Sequence, residues 1–288
     1  MHNYSKTIAG CMAWGKWGKN LTTQQMVALM HVCIENSISS FDHADIYGDY
    51  TTEAAFGKAL KESGILRNEI QLISKCGIQY MGESRPNRVK HYNYSKDYII
   101  WSVEQSLKNL QTEYLDLLLL HRPSPLMHSD EIAEAVNELK QQGKIHEFGV
   151  SNFTPLQTDL IKSKVEVSVN QIEVSLTQFS AMLNGSLDYM QLHNILPMVW
   201  SPLGSYFKEE PSQNNRIKEE LRNLCEKYQA TENQILLAWL YNHPSGIIPV
   251  VGTTNEERIK EAIHAQSIQL ETEDWFALLV ASQGHKVP

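Results

Sequence analysis

The chain has 288 residues, 42% of them apolar, and its 33 Asp and Glu outnumber its 25 Lys and Arg to leave a formal charge of −8. That acidic balance, with no Lys/Arg cluster anywhere, excludes nucleic acid or an anionic membrane as the main partner. Length divided by about 150 suggests two domains, but α/β barrels of this size are routinely one.

Short runs rich in Ile, Val, Leu or Phe end near Cys11, His43, Lys75, His121, Ser151, Val174, Trp200 and Val250, as buried parallel strands do. Helical spacing recurs between them. Residues 22–36 open on a Thr cap and carry Met26, Leu29, Met30 and Cys33 on one face. Residues 52–61 present Ala55, Phe56, Ala59 and Leu60 in the same way, and 97–109, 130–142, 154–163, 216–228 and 256–265 follow the pattern. Roughly eight βα units of about 30 residues predict a (β/α)8 TIM barrel, with 231–243 and 272–282 as extra C-terminal helices outside the eight units. A doubly wound sheet competes, but the G-x-G-x-x-G it would carry after its first strand is missing. No linker or repeat divides the chain, so residues 1–288 are expected to form one barrel domain. Segments 76–95 and 204–215 exceed ordinary loop length, which marks them as functional or mobile.

The cysteines at 11, 33, 76 and 225 form no C-x-x-C pair and are too few for a disulfide scaffold, so a reducing cytoplasm is the expected compartment. Residues 1–10 hold one Lys and no apolar stretch of signal-peptide type. No apolar run approaches the length that spans a bilayer.

In a barrel the chemistry sits where strands end. F-D-H-A-D-I-Y-G places Asp42 and Tyr47 after the second strand, L-I-S-K-C-G places Lys75 after the third, and L-L-L-L-H-R-P places His121 after the fourth. G-V-S-N-F adds Ser151 and Asn152, N-Q-I-E-V adds Gln171, and the seventh strand adds Trp200 and Ser201. An unpaired charge on such apolar strands is expensive, so Lys75 needs an anionic partner, and Asp42 is the natural one. An ammonium beside a tyrosine favours the phenolate and is expected to move Tyr47 towards neutral. With His121 donating a hydrogen bond to the same substrate oxygen, the set suits proton transfer to a carbonyl that receives a hydride.

These motifs, in this order, resemble the aldo-keto reductase superfamily. The resemblance runs from A-G-C-M-A-W near residue 10, through S-P-L-G, to P-V-V-G-T-T-N-E-E-R-I-K-E near residue 255, and so covers nearly the whole chain. It implies a TIM barrel that binds a nicotinamide cofactor, usually NADPH, without a Rossmann fold. It implies Tyr47 as general acid, Lys75 lowering its pKa, Asp42 paired with Lys75, and His121 orienting the carbonyl. Ser151, Asn152 and Gln171 correspond to residues that hold the nicotinamide carboxamide, and Trp200 to the aromatic that stacks on it. Many members have Tyr there; Trp keeps the flat face. Ser201, Leu203, Gly204 and Ser205 correspond to a pyrophosphate loop, and Met12, Ala13 and Trp14 to first-strand residues near the nicotinamide ribose.

The segment Gly252 to Arg258 runs from a strand end into a helix start, where free N–H groups and the helix dipole attract phosphate. Thr253 and Thr254 add hydroxyls and Arg258 a planar cation, a combination that suits a 2′-phosphate and favours NADP(H) over NAD. In the family, Glu261 and a following Asn often reach the adenine; here the follower is Ala262, so one adenine contact is missing.

Each residue has an ordinary reading: a structural ion pair for Asp42–Lys75, a rim tyrosine, a core tryptophan, a helix cap for Ser151–Asn152. Joint occurrence at successive strand ends outweighs them. The other histidines show no metal spacing, and no metal site is expected. The expected partner is a small carbonyl substrate, with no nucleic acid or membrane; oligomeric state is not legible. A cofactor-binding regulatory module of the same fold, with little turnover, is the alternative, and a Schiff-base aldolase using Lys75 is a third reading. Specificity is expected from 76–95 and 204–215, with Tyr80, Met81, Arg85, Arg88, His91 and Tyr92 on the first, and with Trp17 and Phe153 at the mouth.

Overall fold

The computed structural model describes residues 4–208 and 212–288. Eight parallel strands close into a barrel: β1 (Ile8–Gly10), β2 (Ser40–Asp42), β3 (Gln71–Cys76), β6 (Leu115–Leu120), β7 (Ile145–Ser151), β8 (Val169–Glu173), β9 (Leu196–Trp200) and β10 (Ile248–Val251). Around the ring they run β1-β10-β9-β8-β7-β6-β3-β2. A separate antiparallel hairpin, β4 (Ile78–Met81) and β5 (Pro86–Tyr92), rises from the end of β3.

Alternation along the strands divides the apolar residues between two cores. Ile8, Ile73, Leu117, Leu119, Val169, Met198 and Val250 fill the barrel. The intervening Leu118 and Leu120 of β6 face outward, onto the helices. Both faces are therefore buried, which is why these strands read as continuous apolar runs.

The outer ring is made by α1 (Thr23–Glu35), α3 (Thr52–Ser63), α4 (Lys96–Leu110), α5 (Ser129–Gln141), α6 (Pro155–Lys162), α8 (Ser186–Leu192), α10 (Glu232–Tyr241) and α11 (Glu256–His264). Two short turns of helix, α2 (Tyr47–Tyr50) and α7 (Ser180–Leu183), lie in loops, and α9 (Ser212–Tyr228) and α12 (Thr272–Gln283) complete the chain. Several starts are fixed by reciprocal side-chain caps: Thr22 with Gln25, Thr154 with Gln157 and Thr231 with Gln234.

The barrel with extra helices is as expected, and every strand end falls within a few residues of its expected place. Three details differ. Residues 76–95 are a hairpin rather than an irregular loop; β5 is exposed along most of its length, so it offers no apolar run to read. Between β8 and β9 stand α7 and α8, which the sequence reading did not assign; α8 buries only Leu187 and Met190. The extra helix before β10 is α9, which packs on α12, whereas α10, expected outside the units, packs against β10 and α11. Of the segment 204–215, residues 209–211 lie outside the described residues. Among the described residues no helix is long and apolar enough to cross a membrane, and no cluster of three or more His, Cys, Asp or Glu could hold a metal.

Close helix packing yields one stability prediction. Gly57 of α3 lies against the end of α4, where an added Cβ would overlap the carbonyl oxygen of Asn109 and the backbone of Leu110. In an open helix Gly→Ala gains about 1 kcal/mol. Here overpacking by about 1–3 kcal/mol outweighs that gain. Gly57→Ala is expected to lower the midpoint of urea unfolding; a raised midpoint would show that the two helices part easily.

Candidate active site

The carboxyl ends of the strands gather Asp42, Lys75, Tyr47 and His121 at one mouth. Lys75 is wholly buried, and its ammonium is saturated by three kinds of acceptor. Nζ donates to Asp42 Oδ1 and Oδ2 at 2.8 and 2.7 Å, to the His43 carbonyl at 2.9 Å and to the Tyr47 hydroxyl at 3.2 Å. Burial disfavours the charge, but Asp42 and Tyr47 more than offset it and hold the Lys75 pKa above the ordinary lysine value. Gln171 Nε2 donates to Asp42 Oδ1 at 2.8 Å, so the carboxylate is held from two sides. The His43 ring turns into the core, edge-on to Phe56 with centroids 4.3 Å apart. Burial and then Lys75 push its pKa down to about 3, so it stays neutral and contributes only its carbonyl.

Tyr47 opens a turn in which Gly48, Asp49 and Tyr50 are left-handed in succession, with φ of 61°, 59° and 64°. Glycine adopts this freely; Asp and Tyr do so at a cost, and such cost is typically kept at functional sites. The Tyr47 pKa corrects an expectation. Burial dominates and holds the phenol above its ordinary value, with Lys75 opposing but not reversing the shift. The hydroxyl is therefore protonated at neutral pH, in the form a proton donor needs.

His121 follows β6, its N–H bonded to the Cys76 carbonyl at 3.0 Å. Its ring stands edge-on to Tyr47, with centroids 6.1 Å apart. Burial first, then Lys75, Arg122 and Lys90, depress its pKa well below the usual imidazole value, so the ring is neutral. Its Nδ1 is buried without a partner.

A second network borders this cluster. Ser151 Oγ donates to the Gln171 carbonyl at 2.8 Å, and Asn152 Nδ2 donates to Ser151 Oγ at 2.8 Å. Trp200 Nε1 donates to Asn152 Oδ1 at 3.0 Å, which fixes the indole. Asn152 and Ser201 are left-handed, with φ of 63° and 52°. The cap of α6 is Thr154, so the helix-cap reading of Ser151 and Asn152 does not apply. Beyond Trp200, Gly204 N donates to the Ser201 carbonyl at 2.8 Å and Ser205 N to Thr177 Oγ1 at 3.0 Å, while Leu203 packs half-buried on the core.

After β1, Met12 is exposed and Ala13 half-buried, but the Trp14 indole is buried against Phe41 and Phe56. Trp14 can therefore offer a ligand nothing but backbone. Phe153, expected at the mouth, is also in the core. At the opposite edge, Gly252 is exposed with open space where a Cβ would point, Thr253 and Thr254 are half-buried, and Arg258 is exposed. Asn255 caps α11 through Arg258 N at 3.0 Å. Glu261 accepts from Asn233 at 2.9 Å, and Ala262 is packed in the core beside Leu237 and Val251, where no larger polar side chain would fit.

The hairpin supplies residues whose roles the sequence reading missed. Asp49 Oδ2 accepts the N–H groups of Glu83 and Ser84 at 3.0 and 3.2 Å, and Tyr50 Oη accepts from Tyr80 N at 3.0 Å. The strained turn after Tyr47 is thus tied to the hairpin tip. Arg85 lies 3.7 Å above the Tyr50 ring and 4.8 Å from that of Trp101, and donates to the Tyr98 hydroxyl at 2.8 Å. Beneath it a small cavity is bordered by two buried acids, Asp45 and Glu53. Burial, then Glu53, push Asp45 up to about 7. No periodicity marks such a latch; only the chain's return over Tyr47 makes it visible. Trp17 stands edge-on to Tyr80 at 5.0 Å and 6.3 Å from Tyr47, so an aromatic wall rises beside the Tyr47 ring.

A TIM barrel with this Asp–Tyr–Lys–His cluster at its strand ends defines a barrel oxidoreductase. The chain belongs to the aldo/keto reductase family, whose profile matches residues 6–279. It is 43% identical over 291 residues to the uncharacterized oxidoreductase YcsN of Bacillus subtilis, covering 99% of this chain and 96% of that one. It is 36% identical to a 6-dehydroglucose reductase of Agrobacterium fabrum, covering 96% and 95%. The crystal structure of the thermostable aldo-keto reductase Tm1743, in complex with the inhibitor epalrestat, matches it with a TM-score of 0.81 at 26% identity over 96% of this chain and 94% of that one. The protein is accordingly an enzyme of the aldo-keto reductase class.

The buried acid gives a pH prediction. Asp45 is raised to about 7 in the fold, against about 3.9 unfolded. Between these values the folded state binds more protons, so stability falls as pH rises through the window and the loss is complete above it. Asp45→Asn removes the term. The variant is expected to melt above the wild type at pH ~8, with the gap closing towards pH ~4 as the unfolded carboxyl protonates. A gap that does not change with pH would contradict the assignment.

Proposed function

We propose that this enzyme reduces aldehydes or ketones to alcohols with NADPH as hydride source and Tyr47 as general acid. The observation that carries the reading is the Tyr47 hydroxyl, buried and protonated, 3.2 Å from the Lys75 ammonium and beside a neutral His121. The residues present fit a nicotinamide dinucleotide. Trp200 offers a fixed aromatic face, Asn152 and Gln171 offer amides, and Gly252 leaves room at the head of α11. Thr253, Thr254 and Arg258 would hold a 2′-phosphate there, which favours NADP(H). Ser201, Leu203, Gly204 and Ser205 would line the pyrophosphate, and Met12, Ala13 and the Trp14 backbone the adjoining ribose.

When bound, the reduced nicotinamide supplies a hydride to the carbonyl carbon. The chain's own residues handle the oxygen. Tyr47 releases its proton to that oxygen as charge develops on it, and the phenolate left behind faces an ammonium that is already in place, with no reorganisation needed. His121, neutral and with one N–H, orients the carbonyl by hydrogen bonding. The aromatic wall of Trp17 and Tyr80 excludes water from the reacting atoms.

Tyr47→Phe is expected to lower the rate of NADPH oxidation with an aldehyde by about 10²- to 10⁴-fold. NADPH binding, read by tryptophan quenching, should persist. Activity at the wild-type level would remove Tyr47 from the proton step. The depressed His121 and raised Tyr47 also imply that kcat/KM for reduction crosses the region near pH 6.5, where an ordinary imidazole titrates, without an inflection. An inflection there that vanishes in His121→Asn would show that His121 works as an imidazolium.

A further inference from the structure

Two cations at the mouth take no part in the proton step. Arg122 directly follows His121, and its backbone is clamped on both sides by one hydroxyl. Tyr94 Oη donates to the Arg122 carbonyl at 2.6 Å and accepts from its N–H at 3.1 Å. The guanidinium carbon then lies 5.4 Å from the centroid of the Trp200 ring, on the indole that Asn152 holds still. Lys90 lies on β5 of the hairpin. It shares a face of β5 with Tyr92, two residues on, and Tyr92 packs against the cluster of Ala44, Ile46, Tyr47 and Ile78.

Neither cation has a carboxylate within ion-pair distance among the described residues. Elsewhere Lys16 pairs with Glu83, Lys96 with Glu138, Lys144 with Glu104 and Lys164 with Asp130. In a chain with eight more acids than bases, two unpaired cations facing one opening are a local reversal of charge. Arg122 is the next residue after His121 and lies against Trp200, and Lys90 is on the strand whose Tyr92 packs against the Tyr47 cluster, which puts both on this side of the site. A substrate whose carbonyl oxygen lies against Tyr47 and His121 would place its remaining atoms beside them.

We infer that Arg122 and Lys90 form an anion-recognising subsite that selects carbonyl substrates bearing a carboxylate or similar anionic group. Arg122 is the principal contact, because a planar guanidinium pairs bidentately with carboxylate. Lys90 adds a point charge and draws the anion in. The inference rests on the reductase reading above and narrows its substrate class.

The test compares 4-carboxybenzaldehyde with 4-methylbenzaldehyde, which share ring and length and differ in charge. In the wild type kcat/KM favours the carboxylate. In Arg122→Ala the ratio of the two is expected to fall about tenfold or more. Arg122→Lys should keep part of the preference, Lys90→Ala should lose less of it, and added salt should erode it in the wild type. Circular dichroism and NADPH quenching accompany each variant, so a folding defect or loss of cofactor is seen directly. A ratio near one in the wild type, or a ratio unchanged in both Arg122→Ala and Lys90→Ala, overturns the subsite. A drop fully explained by weaker NADPH binding assigns Arg122 to the cofactor instead and also overturns it. Failure to reduce either aldehyde, or any neutral one, would count against the reductase reading itself.

Discussion

The buried Lys75–Asp42 ion pair is the interaction on which the rest of the site depends. Taking two charges out of water costs several kcal/mol per ion, and their attraction repays it only when every remaining donor and acceptor is satisfied. Here that condition is met by parts far apart in sequence. The three hydrogens of the ammonium are shared among Asp42, the His43 carbonyl and Tyr47, and the carboxylate is completed by Gln171. Gln171 belongs to β8, which lies diametrically across the ring from β2, the strand of Asp42. The Gln171–Asp42 bond therefore spans the mouth and closes the top of the barrel core. Any change in strand register at β2, β3 or β8 would break this arrangement, so the pair fixes the fold's geometry at the same place where it prepares Tyr47.

The pair also decides what Tyr47 can do. Burial alone would make the phenolate prohibitive, and a phenol that never ionises is a poor donor. Lys75 does not bring the free phenol down to neutral; in the proposed mechanism it would stabilise the anion that proton transfer leaves behind. The fold spends further strain on placing the hydroxyl, through left-handed Asp49 and Tyr50. Hydrogen bonds from the hairpin tip hold that turn, and Arg85, set against Tyr50 and Trp101, holds the tip. The hairpin thus both walls the mouth beside Tyr47 and braces the turn that carries it. Under the proposed function, substrate recognition and proton delivery would be mechanically joined through residues 47–50.

Much of this was legible in the sequence because it obeys short-range rules. Doubly buried strands announce themselves as apolar runs, Thr caps mark helix starts, and the polar residues Lys75, His121 and Ser151 at strand ends stand out against those runs. The partnership of Lys75 with Asp42 followed from the cost of a lone buried charge. What escaped was set by long-range packing. β5 is exposed and carries no apolar pattern, so the hairpin reads as a loop. Trp14 looks like a ligand-facing aromatic until Phe41 and Phe56 are seen to enclose it. The Tyr47 pKa is a balance between burial and one ammonium, and only the depth of the phenol settles its sign. Arg122 and Lys90 are unremarkable in sequence; their lack of partners is visible only in three dimensions.

The most direct test of the account is a double-mutant cycle on the central pair, read by urea unfolding of the wild type, Lys75→Met, Asp42→Asn and the double variant at neutral pH. If the pair is a buried, fully satisfied couple kept for chemistry, each single variant strands a charge or a polar group and loses about 3–5 kcal/mol. The double variant should then recover most of that stability while remaining inactive. Additive losses, with the double variant the least stable of the four, would contradict the account, because they would mean that the two groups do not depend on one another.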